Sequence, residues 1–122
     1  MRILLVDDER INSLSASKML EKHGHEVVTA VNGAQALEIL HDNEFDCILM
    51  DLQMPEMDGL EAARRIRDRA SFGDKSDIPI IAMTGHSYED TKDDMERAGL
   101  DHYLAKPFDL HTLLQTLEKA TA

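Results

Sequence analysis

Tryptophan is absent from these 122 residues, and cysteine occurs once, at Cys47. A single thiol forms no intrachain disulfide and builds no thiolate zinc site. Flanked by Ile48, Leu49 and Met50, it reads as a small apolar residue inside a core strand. Long apolar runs are missing as well: none exceeds four residues. The opening run Ile3 to Val6 passes straight into acids. The expectation is neither a membrane span nor a signal peptide, with the cytoplasm as the location. Positive charge is scarce, with thirteen basic against twenty-four acidic residues and a net charge of −11. Nucleic acid and anionic membranes would repel such a chain, so direct contact with either is not expected. Bound cations and partners with basic patches are allowed.

Repeats, low-complexity tracts and linkers are also lacking, and 43% of the residues are apolar. That amount of apolar surface supports one domain spanning residues 1–122. Five short apolar runs alternate with helical patterns. The strand expectations are Arg2–Asp7, His25–Val31, Phe45–Asp51, Ile78–Thr84 and Asp101–Lys106. Each is nearly continuous rather than alternating, as strands covered on both faces are. Between them, three-to-four spacing marks five helices. Ala16, Met19, Leu20 and His23 end at Gly24, whereas Ala36, Leu37 and Leu40 follow an Asn32-Gly33 turn. Leu60, Ala63 and Ile66 begin after Gly59, and Thr91, Met95 and Ala98 lie between a Ser87…Asp90 capping pattern and Gly99. Leu110, Leu113, Leu114 and Leu117 follow Asp109, a good helix cap. The longer polar stretch Ser71–Asp77 reads as a surface loop.

A βαβαβαβαβα string implies an α/β, doubly wound fold, a parallel sheet with helices on both faces. Ligands bind such sheets at the carboxyl ends of the strands. Asp7, Asp8, Asp51, Thr84 and Lys106 all fall at those ends. If the first and third strands are neighbours, three carboxylates converge on one rim. Charges about 4 Å apart repel by about 4 kcal/mol at an effective dielectric near 20. Folding asks for no such arrangement, and a cation with chemistry on a carboxylate would explain it. The six histidines form no pair at ligand spacing on one face and read as structural.

Four segments carry a resemblance: Val6-Asp7-Asp8-Glu9, Met50-Asp51-Leu52-Gln53-Met54-Pro55-Glu56-Met57-Asp58-Gly59, Met83-Thr84-Gly85 and Leu104-Ala105-Lys106-Pro107-Phe108. Together, in this order and on these strands, they resemble the receiver domain of two-component response regulators over essentially the whole chain. The resemblance implies a flavodoxin-like (βα)5 fold with a five-stranded parallel sheet in the order 2-1-3-4-5. It implies that Asp51 accepts a phosphoryl group from a phosphohistidine, on a histidine kinase or a histidine phosphotransfer domain. Mg²⁺ would be held by Asp8, Asp51 and the backbone carbonyl of Gln53, with Asp7 acting through a water. Lys106 and Thr84 would bind phosphoryl oxygens, and the Lys106-Pro107 bond would be cis. Asp58 and Gly59 read as a turn and a helix start.

The same resemblance makes Thr84 and Tyr103 the switch. The hydroxyl moves toward the phosphoryl group, the aromatic rotates inward, and the face built by the fourth helix, fifth strand and fifth helix changes shape for a downstream protein or the chain's own kinase domains. Gln53 and His86 occupy positions that tune phosphoryl lifetime, and Gly85 stands where the family usually has Ala. Such a domain promotes only its own phosphorylation and dephosphorylation, whatever the parent chain does. Gln53, the Ser71–Asp77 stretch and the segment from Gly24 to Gly33 look most like receivers of hybrid histidine kinases. A stand-alone regulator is the alternative. An aspartyl-phosphate phosphatase of another class would need a second Asp where Gln53 stands.

Overall fold

Runs of consecutive apolar residues become the sheet's interior. The computed structural model describes residues 1–122, with strands β1 (Arg2–Val6), β2 (Glu26–Ala30), β3 (Cys47–Asp51), β4 (Ile80–Thr84) and β5 (His102–Ala105). All neighbours pair in parallel, in the order β2-β1-β3-β4-β5. This is the flavodoxin-like order expected. β3 and β4 are buried throughout, while the edge strands β2 and β5 are partly exposed. The strands are one or two residues shorter than their apolar runs at one or both ends. At β4 the cause is Pro79, which has no N–H to give the ladder, although its carbonyl still accepts from Ile48 N–H at 2.9 Å.

Successive side chains of a strand point to opposite faces, so each strand feeds two cores. Leu4, Val6, Ile48, Met50, Ile80 and Ala82 pack on one side against helices α2 (Gly33–Asp42), α3 (Gly59–Ile66) and α5 (Tyr88–Ala98). Ile3, Leu5, Cys47, Leu49, Ile81 and Met83 pack on the other, under α1 (Arg10–Lys22) and α6 (Leu110–Ala120). Each fully buried Leu or Ile contributes about 2 kcal/mol. Burial also pushes the Cys47 thiol up to about 12, so it stays neutral and inert.

The helix signals hold locally. Asn32, Asp58, Ser87 and Asp109 accept from Gln35, Glu61, Asp90 and Thr112 N–H, at 2.8 to 3.2 Å. Gly99 closes α5 at φ 77°, a left-handed conformation that costs other residues more. No helix is long and apolar enough to cross a membrane.

Ser71–Asp77 departs from the expected loop. It is occupied by a short helix α4 (Arg69–Phe72) and a 3-10 turn (Gly73–Asp77). Part of its polarity is spent on carbonyls, while Ser71, Asp74 and Asp77 face solvent. Lys75 donates to Leu40, His41 and Asn43 O at 2.8 to 3.0 Å and closes the C-terminus of α2. The Arg67 guanidinium donates to Ser76, Ile78 and Gly99 O at 2.8, 2.5 and 2.9 Å. Because α4 intervenes, the fourth helix, fifth strand and fifth helix expected above correspond here to α5, β5 and α6.

Candidate functional site

Register brings the acids together. Val6 of β1 lies opposite Met50 of β3, so the next step on each strand sets Asp7 beside Asp51. The sheet order reverses between β1 and β3, which opens the crevice where doubly wound folds bind ligands. Asp7, Asp8 and Asp51 each offer a carboxylate oxygen within 4.8 Å of the others. Asp7 and Asp51 are 3% and 2% exposed, whereas Asp8 faces solvent. Lys106, one residue past β5, sets its Nζ 3.2 Å from Asp7 Oδ2 and 3.2 Å from Asp51 Oδ2. The Lys106-Pro107 peptide is cis.

Three carboxylates and one ammonium leave two negative charges. At the 4.8 Å limit and an effective dielectric near 20, the Asp7–Asp51 repulsion is about 3 kcal/mol. Burial pushes the Asp51 carboxyl up to about 6, although the Gln53 N–H and the Lys106 ammonium both favour its charged form. Burial also works against the Lys106 charge, but Asp51 and Asp7 outweigh it and hold the ammonium above the ordinary lysine value. All the donors are hard oxygens, and the excess of two negative charges equals the charge of a divalent ion. That donor set fits magnesium, which takes oxygen ligands and keeps waters at its open positions.

The remaining predicted residues form a second, adjoining chain of contacts. The Thr84 hydroxyl, fully buried, donates to Gln53 Oε1 at 2.9 Å and accepts from His86 N–H at 3.1 Å. The His86 carbonyl in turn accepts from the Tyr103 hydroxyl at 2.5 Å. Gln53 joins the two halves, since its own N–H donates to Asp51 Oδ1 at 3.1 Å. Strand alternation separates them. Asp7, Asp51 and Lys106 continue the α1/α6 side of the sheet, and Thr84 and Tyr103 continue the α5 side.

Three features lay outside the sequence reading. Gly59 is more than a helix start: a Cβ there would collide with the Asp51 carbonyl and meet Met50 Cγ at 2.9 Å. Glycine is what lets α3 begin hard against the end of β3. Tyr88 stacks edge-on against Tyr103, ring centres 5.5 Å apart. An aromatic opening a helix just after the Thr84 loop was the available signal. The Gln53–Thr84 bond joins positions 31 residues apart, which no local pattern reports.

Known proteins share this architecture and sequence. A family model for the response regulator receiver domain matches residues 3–118. The sensor protein GacS of Pseudomonas syringae is 38% identical over 120 residues, which cover 98% of this chain and 13% of that protein. The protein PilH of Pseudomonas aeruginosa is 38% identical over 121 residues, covering 99% of this chain and 98% of PilH. Among solved structures, the receiver domain of the Pseudomonas aeruginosa sensor histidine kinase PA1611 has a magnesium ion coordinated in its active site cleft. It superposes with a TM-score of 0.87 at 34% identity, over 98% of this chain and 96% of that one. The chain thus spans about an eighth of the length of the sensor kinases it matches.

Proposed function

This chain belongs to the response regulator receiver domain family, and from that premise we propose that Asp51 is its phospho-acceptor and that the site works with Mg²⁺. The observation that carries the reading is the convergence of Asp7, Asp8 and Asp51 within 4.8 Å, with Lys106 3.2 Å from two of them. Asp8, Asp51 and the Gln53 backbone carbonyl would hold the ion, with Asp7 behind a water. Bound there, it supplies positive charge against the phosphoryl oxygens and against the carboxylates themselves.

The chain's own residues do the rest. A carboxylate oxygen of Asp51 attacks phosphorus in line while the N–P bond of the donor phosphohistidine breaks. With its other ring nitrogen protonated, the donor histidine leaves as a neutral imidazole, and the second product is an acyl phosphate. A carboxylate is a weak nucleophile, so orientation carries much of the rate. The Gln53 N–H and the Lys106 ammonium fix the orientation of Asp51. Lys106 also meets charge on a phosphoryl oxygen, and the Thr84 hydroxyl meets another once it turns toward the site. Tyr103 follows Thr84 and reshapes the α5–β5–α6 face. Gln53 and His86 tune the lifetime of the acyl phosphate.

The test is intact mass after incubation with acetyl phosphate and Mg²⁺. Wild type should gain one phosphoryl group, and Asp51→Asn should gain none. Labelling that persists in the variant, or a wild type that takes no label with magnesium present, would overturn the assignment.

The donor is a phosphohistidine, since receiver domains take phosphate from histidine kinases or phosphotransfer proteins, and we read the chain as the receiver of a hybrid sensor kinase. Its similarity to GacS supports this. One observation favours a free-standing regulator instead: PilH matches over 98% of its own length. The complete reading frame that carries the chain distinguishes the two.

A further inference from the structure

We propose that the Gln53 carboxamide is a positioning residue that holds the Thr84 hydroxyl away from the reaction, so that the unphosphorylated domain resists its active arrangement until this bond is broken. The inference rests on the reading of Asp51 as acceptor and adds to it a contact that acts before any phosphoryl group arrives.

A threonine hydroxyl has one proton to give. Here it is given to Gln53 Oε1 at 2.9 Å, while the same oxygen accepts from His86 N–H at 3.1 Å. Donation to a phosphoryl oxygen and donation to Gln53 are therefore mutually exclusive. Thr84 is fully buried, and its hydroxyl meets Gln53 and His86 at the edge of the core. The contact extends beyond Thr84, because the His86 peptide gives its N–H to the Thr84 hydroxyl and its carbonyl to Tyr103. Tyr103 leans edge-on against Tyr88 at 5.5 Å. Release of the hydroxyl frees one end of the peptide whose other end anchors the Tyr103 ring. Gln53 also senses the acceptor directly, since its N–H sits 3.1 Å from Asp51 Oδ1. Its side chain faces solvent and contributes little to the core, so its replacement tests the contact rather than the fold.

The contact is distinct from lifetime tuning, and an analogue that cannot be hydrolysed separates them. Beryllofluoride with Mg²⁺ would be titrated into wild type, Gln53→Ala and Gln53→Met, the last keeping side-chain length without an acceptor. Loss of one net hydrogen bond from the inactive state should tighten binding about two- to tenfold in both variants. In a Thr84→Ala background, with no hydroxyl to hold, Gln53→Met should change nothing. Without beryllofluoride, the Tyr103 ring and His86 amide resonances of Gln53→Met should shift toward their bound positions.

Unchanged or weaker binding in the single variants would overturn the proposal. So would equal tightening in the Thr84→Ala background, since Gln53 would then act by bulk alone. A wild type that binds no beryllofluoride would remove the Asp51 reading itself and the latch with it. A wild type that binds but shows no effect of Gln53 would remove the latch alone.

Discussion

Replacing Asp51 with Asn should make the divalent-free protein more stable at neutral pH. The substitution keeps the side chain's shape and an oxygen for the Gln53 N–H 3.1 Å away, but it removes a charge. Burial has raised the carboxyl from 3.8 to about 6, a shift worth about 3 kcal/mol. The new amide would face Lys106, whose Nζ now lies 3.2 Å from Asp51 Oδ2. The Lys106 and Gln53 contacts already enter that shift, so the expected gain stays at about 3 kcal/mol. Because the folded pKa lies above the unfolded one, the folded state binds more protons between about pH 4 and pH 6. Stability contributed by the neutral carboxyl is fully present below about pH 4 and is lost as pH rises through 6. The advantage of Asp51→Asn should therefore vanish near pH 4 and be complete above pH 7. Urea unfolding in EDTA at pH 4.5, 6 and 7.5 measures it, and at pH 7.5 the melting temperature should rise by roughly 12 °C. A variant less stable than wild type at pH 7.5 would refute the reasoning. A gain that fails to shrink toward acid would do the same.

Two further substitutions test the scaffold around the site. Gly59→Ala drives a methyl into the Asp51 carbonyl and should cost about 2 kcal/mol by overpacking. A urea midpoint equivalent to a loss under about 0.5 kcal/mol would show that α3 does not need its close approach to β3. Arg67→Met removes a cation that serves three carbonyls, those of Ser76, Ile78 and Gly99, and should cost about 3 kcal/mol. Amide exchange should quicken from Ser76 to Ile78 and at Leu100, and unchanged protection there would mean that the 3-10 turn holds itself.

The elements were legible where residue type and position carry one physical message. Ile3 to Val6 followed by Asp7 and Asp8 is a buried strand ending at a polar rim, and the structure places it so. The same holds for Cys47 to Asp51 and Ile80 to Thr84. Gly99 and Asp109 marked helix ends because φ and capping demands are local. Ser71–Asp77 failed for a reason equally plain. Ser71, Asp74 and Asp77 are solvated, but the sequence does not reveal that Lys75 reaches carbonyls at the end of α2, 32 to 35 residues away. The acids, Lys106 and Thr84 were legible as neighbours on one rim because they share strand ends. The path joining Thr84 to Gln53, and Tyr103 to Tyr88, was not, since it depends on which rotamers meet across two loops.

The sheet's period of two has a consequence for signalling. Asp7, Asp51 and Lys106 lie on the side covered by α1 and α6, while Thr84 and Tyr103 lie on the side covered by α5. Between them stands the sheet, close-packed on both faces and slow to yield, which leaves the strand ends as the route from Asp51. That route runs through the loops after β3 and β4. There Gln53 touches Asp51 with its backbone and Thr84 with its side chain, and the His86 peptide continues to Tyr103. One half holds the charges, and the other is built on loop peptides and side-chain hydrogen bonds. Such a division suits the switch proposed above, in which Asp51 stays in place while its surroundings move.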